Sequence, residues 1–194
     1  MKCWHIINAT LERNPNLPPE AVEDIIMGCG NPEGAQGHNV GRNAAVLSNL
    51  PITTGGTTIN RYCSSGMQSI SMAASQIMAG CYDTVIAGGA ETISMMQGKQ
   101  NMDNFVNERL AEKSPGIYYP MGMTAEVVAK RYNVSREAQD EYAFESQMRT
   151  AAAQQAGAYD DEIIPMETKM LLMNKETGDS KEIDYCVEKD ECNR

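Results

Sequence analysis

Asn60-Arg61-Tyr62-Cys63-Ser64-Ser65-Gly66-Met67-Gln68 sets a cysteine between two runs of opposite character. Before it, Thr57 to Tyr62 reads as a strand; after it, Ser64 to Ala79 reads as a helix. Met67, Ile70, Ala74, Ile77 and Met78 recur at helical spacing, and no charged residue stands between Tyr62 and Tyr82. A helix that is apolar or uncharged nearly all round is expected to be buried. Cys63 then lies at the N-terminal end of a buried helix, where unpaired backbone N–H groups and the helix dipole favour a thiolate. The bland reading of the position alone is a structural cysteine, because free Cys is among the most buried residue types.

Upstream, residues 1–13 read as a helix with Trp4, Ile7 and Leu11 on its apolar stripe, stopped at Asn14-Pro15. Val22 to Met27 reads as a strand, Asn39 to Ser48 as a helix, and Thr84 to Ala87 as a short core strand running into Gly88-Gly89. Strands and helices alternate through residue 90, which predicts βαβ units on a parallel sheet with both faces covered. The turn holding Cys63 is then at the carboxyl end of a strand, the edge where open α/β sheets place their sites. The loop Gly28-Cys29-Gly30-Asn31-Pro32-Glu33-Gly34 has its glycines too irregularly spaced for a phosphate-binding fingerprint.

The composition changes near residue 92. Met95 to Asn107 is crowded with methionine, glutamine and asparagine and reads as an irregular excursion. Thr124 to Tyr132 reads as a short helix. Ser135 caps a longer one, with Glu137 in its first turn and Gly157 just past its end. On that helix Glu145 and Arg149 form an i,i+4 pair, and Ala138, Tyr142 and Met148 are expected on or near an inner face. Glu167 to Met173 and Lys181 to Val187 read as a hairpin around a polar turn from Asn174 to Asp179. Asp190-Glu191-Cys192-Asn193-Arg194 adds no closing element.

Composition narrows the function classes. The 194 residues suit one domain or a domain with an appendage, and 42% apolar content is enough for a core. A net charge of −10 argues against nucleic acid or an anionic membrane as partner. Residues 1–100 carry 5 basic and 7 acidic side chains and the remainder 11 and 19, so the second half reads as a solvated outer layer. Cysteines stand at 3, 29, 63, 81, 186 and 192 without a C-x-x-C pair, and with only two histidines a structural zinc site is not expected. The cysteines read as reduced thiols of an intracellular protein without a secretory leader. No apolar run approaches the ~20 residues that span a bilayer.

Taken together, the Cys63 stretch, Gly88-Gly89-Ala90-Glu91-Thr92, Pro120-Met121-Gly122-Met123-Thr124-Ala125-Glu126 and Ser135-Arg136-Glu137-Ala138-Gln139-Asp140 resemble the thiolases. The resemblance runs through essentially the whole chain in order. Asn60–Gly66 and Met121–Glu126, at this spacing, carry it most specifically. It implies a thiolase-like α/β fold: an N-terminal βαβ half over residues 1–91, lacking its first strand, then an incomplete helical and hairpin loop domain over 92–194, with the C-terminal half absent. It implies acyl transfer in which Cys63 becomes acylated and its backbone N–H donates to the oxyanion, while Met121 lines the acyl pocket. Coenzyme A enters as a substrate, with no separate cofactor and no metal. The implied assembly is a homodimer or homotetramer, in the cytoplasm of a bacterium or the mitochondrion or peroxisome of a eukaryote. Pro120 stands where biosynthetic acetoacetyl-CoA thiolases commonly carry histidine, which favours a degradative 3-ketoacyl-CoA thiolase of fatty-acid β-oxidation.

The chain departs from that pattern as well. Thiolases carry an asparagine in N-E-A-F, a histidine in G-H-P and a second cysteine in C-x-G, and none of these motifs occurs here. His5 and His38 read as ordinary helix and loop histidines, and none of the other five cysteines has the second-cysteine context. The isolated chain is therefore expected to show little or no thiolysis, as a fragment of a longer enzyme. Other readings are a biosynthetic acetoacetyl-CoA thiolase and a non-catalytic thiolase-fold protein that binds acyl chains or a partner subunit. An unrelated cysteine hydrolase lacks a Cys–His pairing, and ketoacyl synthases differ in the segments around Cys63 and Met121.

Overall fold

Asp24-Ile25-Ile26-Met27-Gly28 is strand β1, and every residue in it is buried. A strand hidden on both faces belongs in the middle of a parallel sheet, and that is where β1 lies. In the computed structural model, which describes residues 2–193, β2 (Thr57–Ile59) pairs parallel to one side of β1 and β3 (Val85–Gly89) to the other. Ile26 faces Thr57 across one ladder and Ala87 across the other. Met1, placed by the sequence in the first helix, and Arg194 lie outside the described residues.

Helices cover both faces. Helix α1 (Cys3–Glu12) buries Ile7 and Leu11, and α2 (Val40–Leu47) buries Ala44 and Ala45; with Val22, Ile25, Met27 and Leu50 these form one apolar cluster. Asn39 caps α2, its Oδ1 accepting the Arg42 N–H at 3.0 Å and the Thr58 hydroxyl at 2.9 Å. Its Nδ2 donates to the Gly56 carbonyl at 2.9 Å, so one side chain both starts the helix and ties it to β2.

Helix α3 (Ser65–Met78) lies against β1 and β3 on the opposite face. Here the expectation of a helix buried nearly all round needs correction. Its buried residues are Ser65, Ser69 and Ala73, whereas Met67 is 75% exposed, Ile70 60% and Met78 88%. Small side chains let the helix backbone come close to the sheet, so they form the contact face. The apolar stripe points the other way, and no element among the described residues covers it.

Contacts divide the chain into a first unit ending at Asn101 and a second beginning at Met102. The compositional change at residue 92 coincides with a short helix, α4 (Ile93–Met96), still in the first unit. The stretch expected to be irregular thus begins in helix, and Met96 is only 2% exposed.

The second unit holds α5 (Glu108–Lys113), α6 (Met121–Tyr132), α7 (Arg136–Gln155) and the antiparallel hairpin β4 (Met166–Met173) and β5 (Ser180–Val187). Ser135 caps α7 through the Ala138 N–H at 3.2 Å, and Gly157 takes the left-handed conformation just beyond its end. The Glu145–Arg149 pair forms at 2.5 Å. The expected inner face of α7 does not: no residue of the helix is buried, with Tyr142 78% and Met148 55% exposed. Period alone marks which side chains share a face, not whether something lies against it. Among the described residues no helix is long and apolar enough to cross a membrane.

Candidate active site

Because all three strands of the first unit run the same way, their carboxyl ends share one edge. Three loops leave it: Gly28-Cys29-Gly30-Asn31 after β1, Asn60 to Ser64 after β2, and Ala90-Glu91-Thr92 after β3. Between them lies a cavity of about 500 Å³ whose lining includes Gly28, Gly30, Tyr62, Cys63, Gly66 and Glu91. That size falls within the range of small-molecule sites.

The β2–α3 turn presents Cys63 to this cavity. Strand β2 stops at Ile59, three residues earlier than the sequence suggests, because Asn60 and Tyr62 turn the backbone. The Asn60 Oδ1 accepts the Tyr62 N–H at 2.8 Å, and Tyr62 takes a left-handed conformation with φ of 47°. Asn side chains commonly bond a backbone group two residues on in this way. Ser65 locks the turn from the helix side: its hydroxyl donates to the Tyr62 carbonyl at 2.6 Å and accepts the Arg61 N–H at 2.9 Å. Cys63 is held one residue ahead of the N-cap, Ser64, with its side chain exposed. The turn can sit this close to β1 only because residue 28 is glycine. A Cβ there would stand 2.3 Å from the Ser65 carbonyl carbon and 2.6 Å from the Gly66 nitrogen.

The other cysteines of this unit are placed differently. Cys29 is buried beside the cavity, and burial, with the nearby Glu91 carboxylate second, pushes its thiol above the usual range. Burial also raises Cys3. Both are held as thiols. Cys81 is exposed beyond the far end of α3. Cys63 alone combines exposure with a helix N-terminus and this cavity.

Met121 opens α6 in the second unit and is 68% exposed. His5 lies on α1, edge-on to Trp4, and His38 sits before α2 with φ of 61°; neither lines the cavity. Among the described residues no cluster of His, Cys, Asp and Glu could hold a metal ion.

Two polar residues found here had no role in the sequence reading. Glu91 reaches the Gly30 N–H at 2.6 Å and also accepts from Gln36. Gln36, 1% exposed, sits in the short 3₁₀ turn Gly34–Gln36. A glutamine between Ala35 and Gly37 carries no periodic signal, and only its full burial marks it.

Residues 3–191 match the family model of the thiolase N-terminal domain. The chain belongs to the thiolase family. It is 51% identical over 157 residues to a 3-ketoacyl-CoA thiolase of Bacillus subtilis, covering 80% of this chain and 39% of that one. An acetyl-CoA acetyltransferase of Chromobacterium violaceum is 40% identical over 174 residues, covering 83% and 43%. The crystal structure of the Bacillus anthracis acetyl-CoA acetyltransferase superposes with a TM-score of 0.75 at 30% identity, over 100% of this chain and 48% of that one. This thiolase chain spans about two fifths of the length of the curated relatives it matches. The thiolase resemblance read from four sequence segments and the mixed α/β fold are thus both found.

Proposed function

We propose that Cys63 is the nucleophile of a thiolase-type acyltransferase that cleaves 3-ketoacyl-CoA with a second coenzyme A. The observation that carries the reading is the seat of Cys63: an exposed thiol at the N-terminus of α3, on the carboxyl edge of three parallel strands. Gly28, Gly30, Gly66 and Gly89 are among the residues that line the cavity around it, and without side chains they leave room for an extended thioester to approach the sulfur.

In this chemistry the Cys63 thiolate attacks the 3-keto carbon. The bond between carbons 2 and 3 breaks, its electron pair stays with the departing acetyl-CoA, and that carbon takes up a proton. The acyl group remains on Sγ as a thioester. A second coenzyme A thiol loses its proton, attacks the thioester carbon and releases the shortened acyl-CoA, returning the thiolate. Dividing one difficult exchange into two is what covalent catalysis supplies. The Cys63 backbone N–H serves as a donor to the oxyanion, and loss of such a donor costs on the order of a hundredfold in rate.

Two proton transfers remain to be served. Besides Cys63, the ionisable side chains lining the cavity are Tyr62 and Glu91, and both Glu91 oxygens already accept hydrogen bonds. With no free side chain serving either transfer, the chain by itself is expected to acylate Cys63 slowly and not to sustain thiolysis. Coenzyme A as co-substrate, Met121 as part of the acyl pocket, and a homo-oligomeric assembly belong to the same reading on the family pattern. Pro120 and the 3-ketoacyl-CoA thiolase names among the relatives support the degradative direction over the biosynthetic one.

The test is incubation with acetoacetyl-CoA and longer 3-ketoacyl-CoAs, followed by intact-mass and peptide mapping. An acyl adduct on Cys63, lost in Cys63→Ser, is expected without sustained thiolysis. An adduct on another cysteine, or none, overturns the nucleophile; rapid turnover by this chain overturns the account of its missing proton transfers.

A further inference from the structure

We propose that Glu91 is a positioning residue for the Cys63 turn, acting through Gln36 and the loop that follows β1. The inference rests on the reading of Cys63 as nucleophile. Its physical content is a clamp built from three loops.

Gln36 commits both ends of its amide. Its Nε2 donates to the Asn31 carbonyl at 2.7 Å and to Glu91 Oε1, and its Oε1 accepts the Thr92 N–H at 2.7 Å. The other carboxylate oxygen of Glu91 accepts the Gly30 N–H at 2.6 Å. Hydrogen bonds to a carboxylate are roughly twice as strong as neutral ones. The side chain therefore joins the end of β3 to the loop after β1 at Gly30 directly and at Asn31 through Gln36.

Gly30 is the link to the nucleophile. A Cβ at this residue would meet both Glu91 Oε2, at 2.8 Å, and the Tyr62 carbonyl oxygen, at 3.4 Å. The carboxylate and the residue that precedes Cys63 thus crowd the same face of Gly30. The Tyr62 carbonyl is also the acceptor of the Ser65 hydroxyl that locks the turn. Releasing Gly30 from Glu91 loosens the support beneath Tyr62, and with it the direction in which Cys63 points. The clamp is extended by Met96, whose sulfur would lie 3.1 Å from a Cβ on Gly34 and so packs α4 onto the turn carrying Gln36.

The polarity of the pair supplies the test. Glu91→Gln sets an amide N–H₂ against the Gln36 N–H₂, or else loses the Gly30 contact. Hydrogen exchange of the peptide containing residues 60–66 is read first, together with the whole-chain denaturation midpoint. Losing a charge-assisted bond from the locally closed state speeds that exchange roughly tenfold or more. Cys63 alkylation relative to Cys81 should fall in Glu91→Gln. If Glu91→Gln does not fold, Glu91→Asp, which keeps the charge one methylene short of Gly30, replaces it and should show the same faster exchange. Unchanged exchange in a folded variant overturns the clamp, as does a loss of protection spread evenly over the whole chain. If protection follows the clamp but Cys63 in the unaltered chain reacts no faster than Cys81, the nucleophile reading fails and the clamp stands.

Discussion

The Ser69 hydroxyl lies 2.8 Å from the Gly88 carbonyl oxygen, joining the middle of α3 to the end of β3. It is also 2.7 Å from the Gly66 carbonyl one turn earlier, and Ser69 is fully buried. Ser69→Ala leaves these oxygens without that donor in a dry contact, at a cost of about 1–2 kcal/mol. Urea denaturation followed by circular dichroism measures it. A cost indistinguishable from zero would show that the contact tolerates an apolar side chain.

Gly28 and Gly66 make a contrasting pair. A methyl at residue 28 has to displace the first turn of α3, so Gly28→Ala is expected to cost at least 1–3 kcal/mol by the usual range for overpacking. Nothing lies within 4 Å of a Cβ on Gly66. There the helix gains from alanine, and Gly66→Ala should raise stability by roughly 0.5–1 kcal/mol. Opposite signs in one denaturation series are the expected result.

The two faces of α3 predict a second contrast. Ile26, on the central strand, is fully buried, and Ile26→Ala should cost about 2–5 kcal/mol. Ile70, 60% exposed on the apolar stripe of α3, should tolerate Ile70→Gln within about 0.5 kcal/mol. An Ile70 cost close to that of Ile26 would mean that something in solution covers the stripe.

Asp24 begins β1 with 9% exposure, and burial pushes its carboxyl above the ordinary aspartate range, partly offset by the Ile25 N–H at 2.8 Å. A raised carboxyl binds its proton more tightly in the folded state. Its contribution to stability is therefore greatest below the ordinary aspartate value and is lost as pH rises through the folded value. Asp24→Asn keeps an oxygen for Ile25 and removes the titration. The advantage of Asp24→Asn in denaturation midpoint should grow as pH rises from about 4 and then level off. An advantage that shrinks over that interval contradicts the burial argument.

Much of the first unit was legible from pattern. The run Ile25-Ile26-Met27 marks a strand buried on both faces, and the alternation around it leads to the parallel order β2-β1-β3. The turn at Cys63 was legible too, since strand-like and helix-like runs meet there. What period could not supply was partnership. On α3 the stripe with the clearest helical spacing is the exposed one, while Ser65, Ser69 and Ala73, chemically modest, carry the contact. Three helix starts were missed or late for a local reason. Helix α4 lies in a methionine-rich run, α5 starts behind a capping Asn107, and α6 begins at Met121 directly after Pro120 rather than at Thr124. Glu91 was visible only as part of a familiar string, because its bonds join residues 61 and 55 positions apart.

The parallel sheet also sets a timetable. Strands β4 and β5 are neighbours in the chain, and a hairpin of that kind closes on the order of microseconds. The cavity at Cys63 needs loops around residues 30, 62 and 91 in place together, each separated from the next by a helical crossover. Such non-local closure is slow, because chain entropy is lost before any contact repays it. As the chain emerges from the ribosome, the thiol at residue 63 is made well before β3 and Glu91 exist to complete its surroundings. The site is among the last parts of the first unit to be finished.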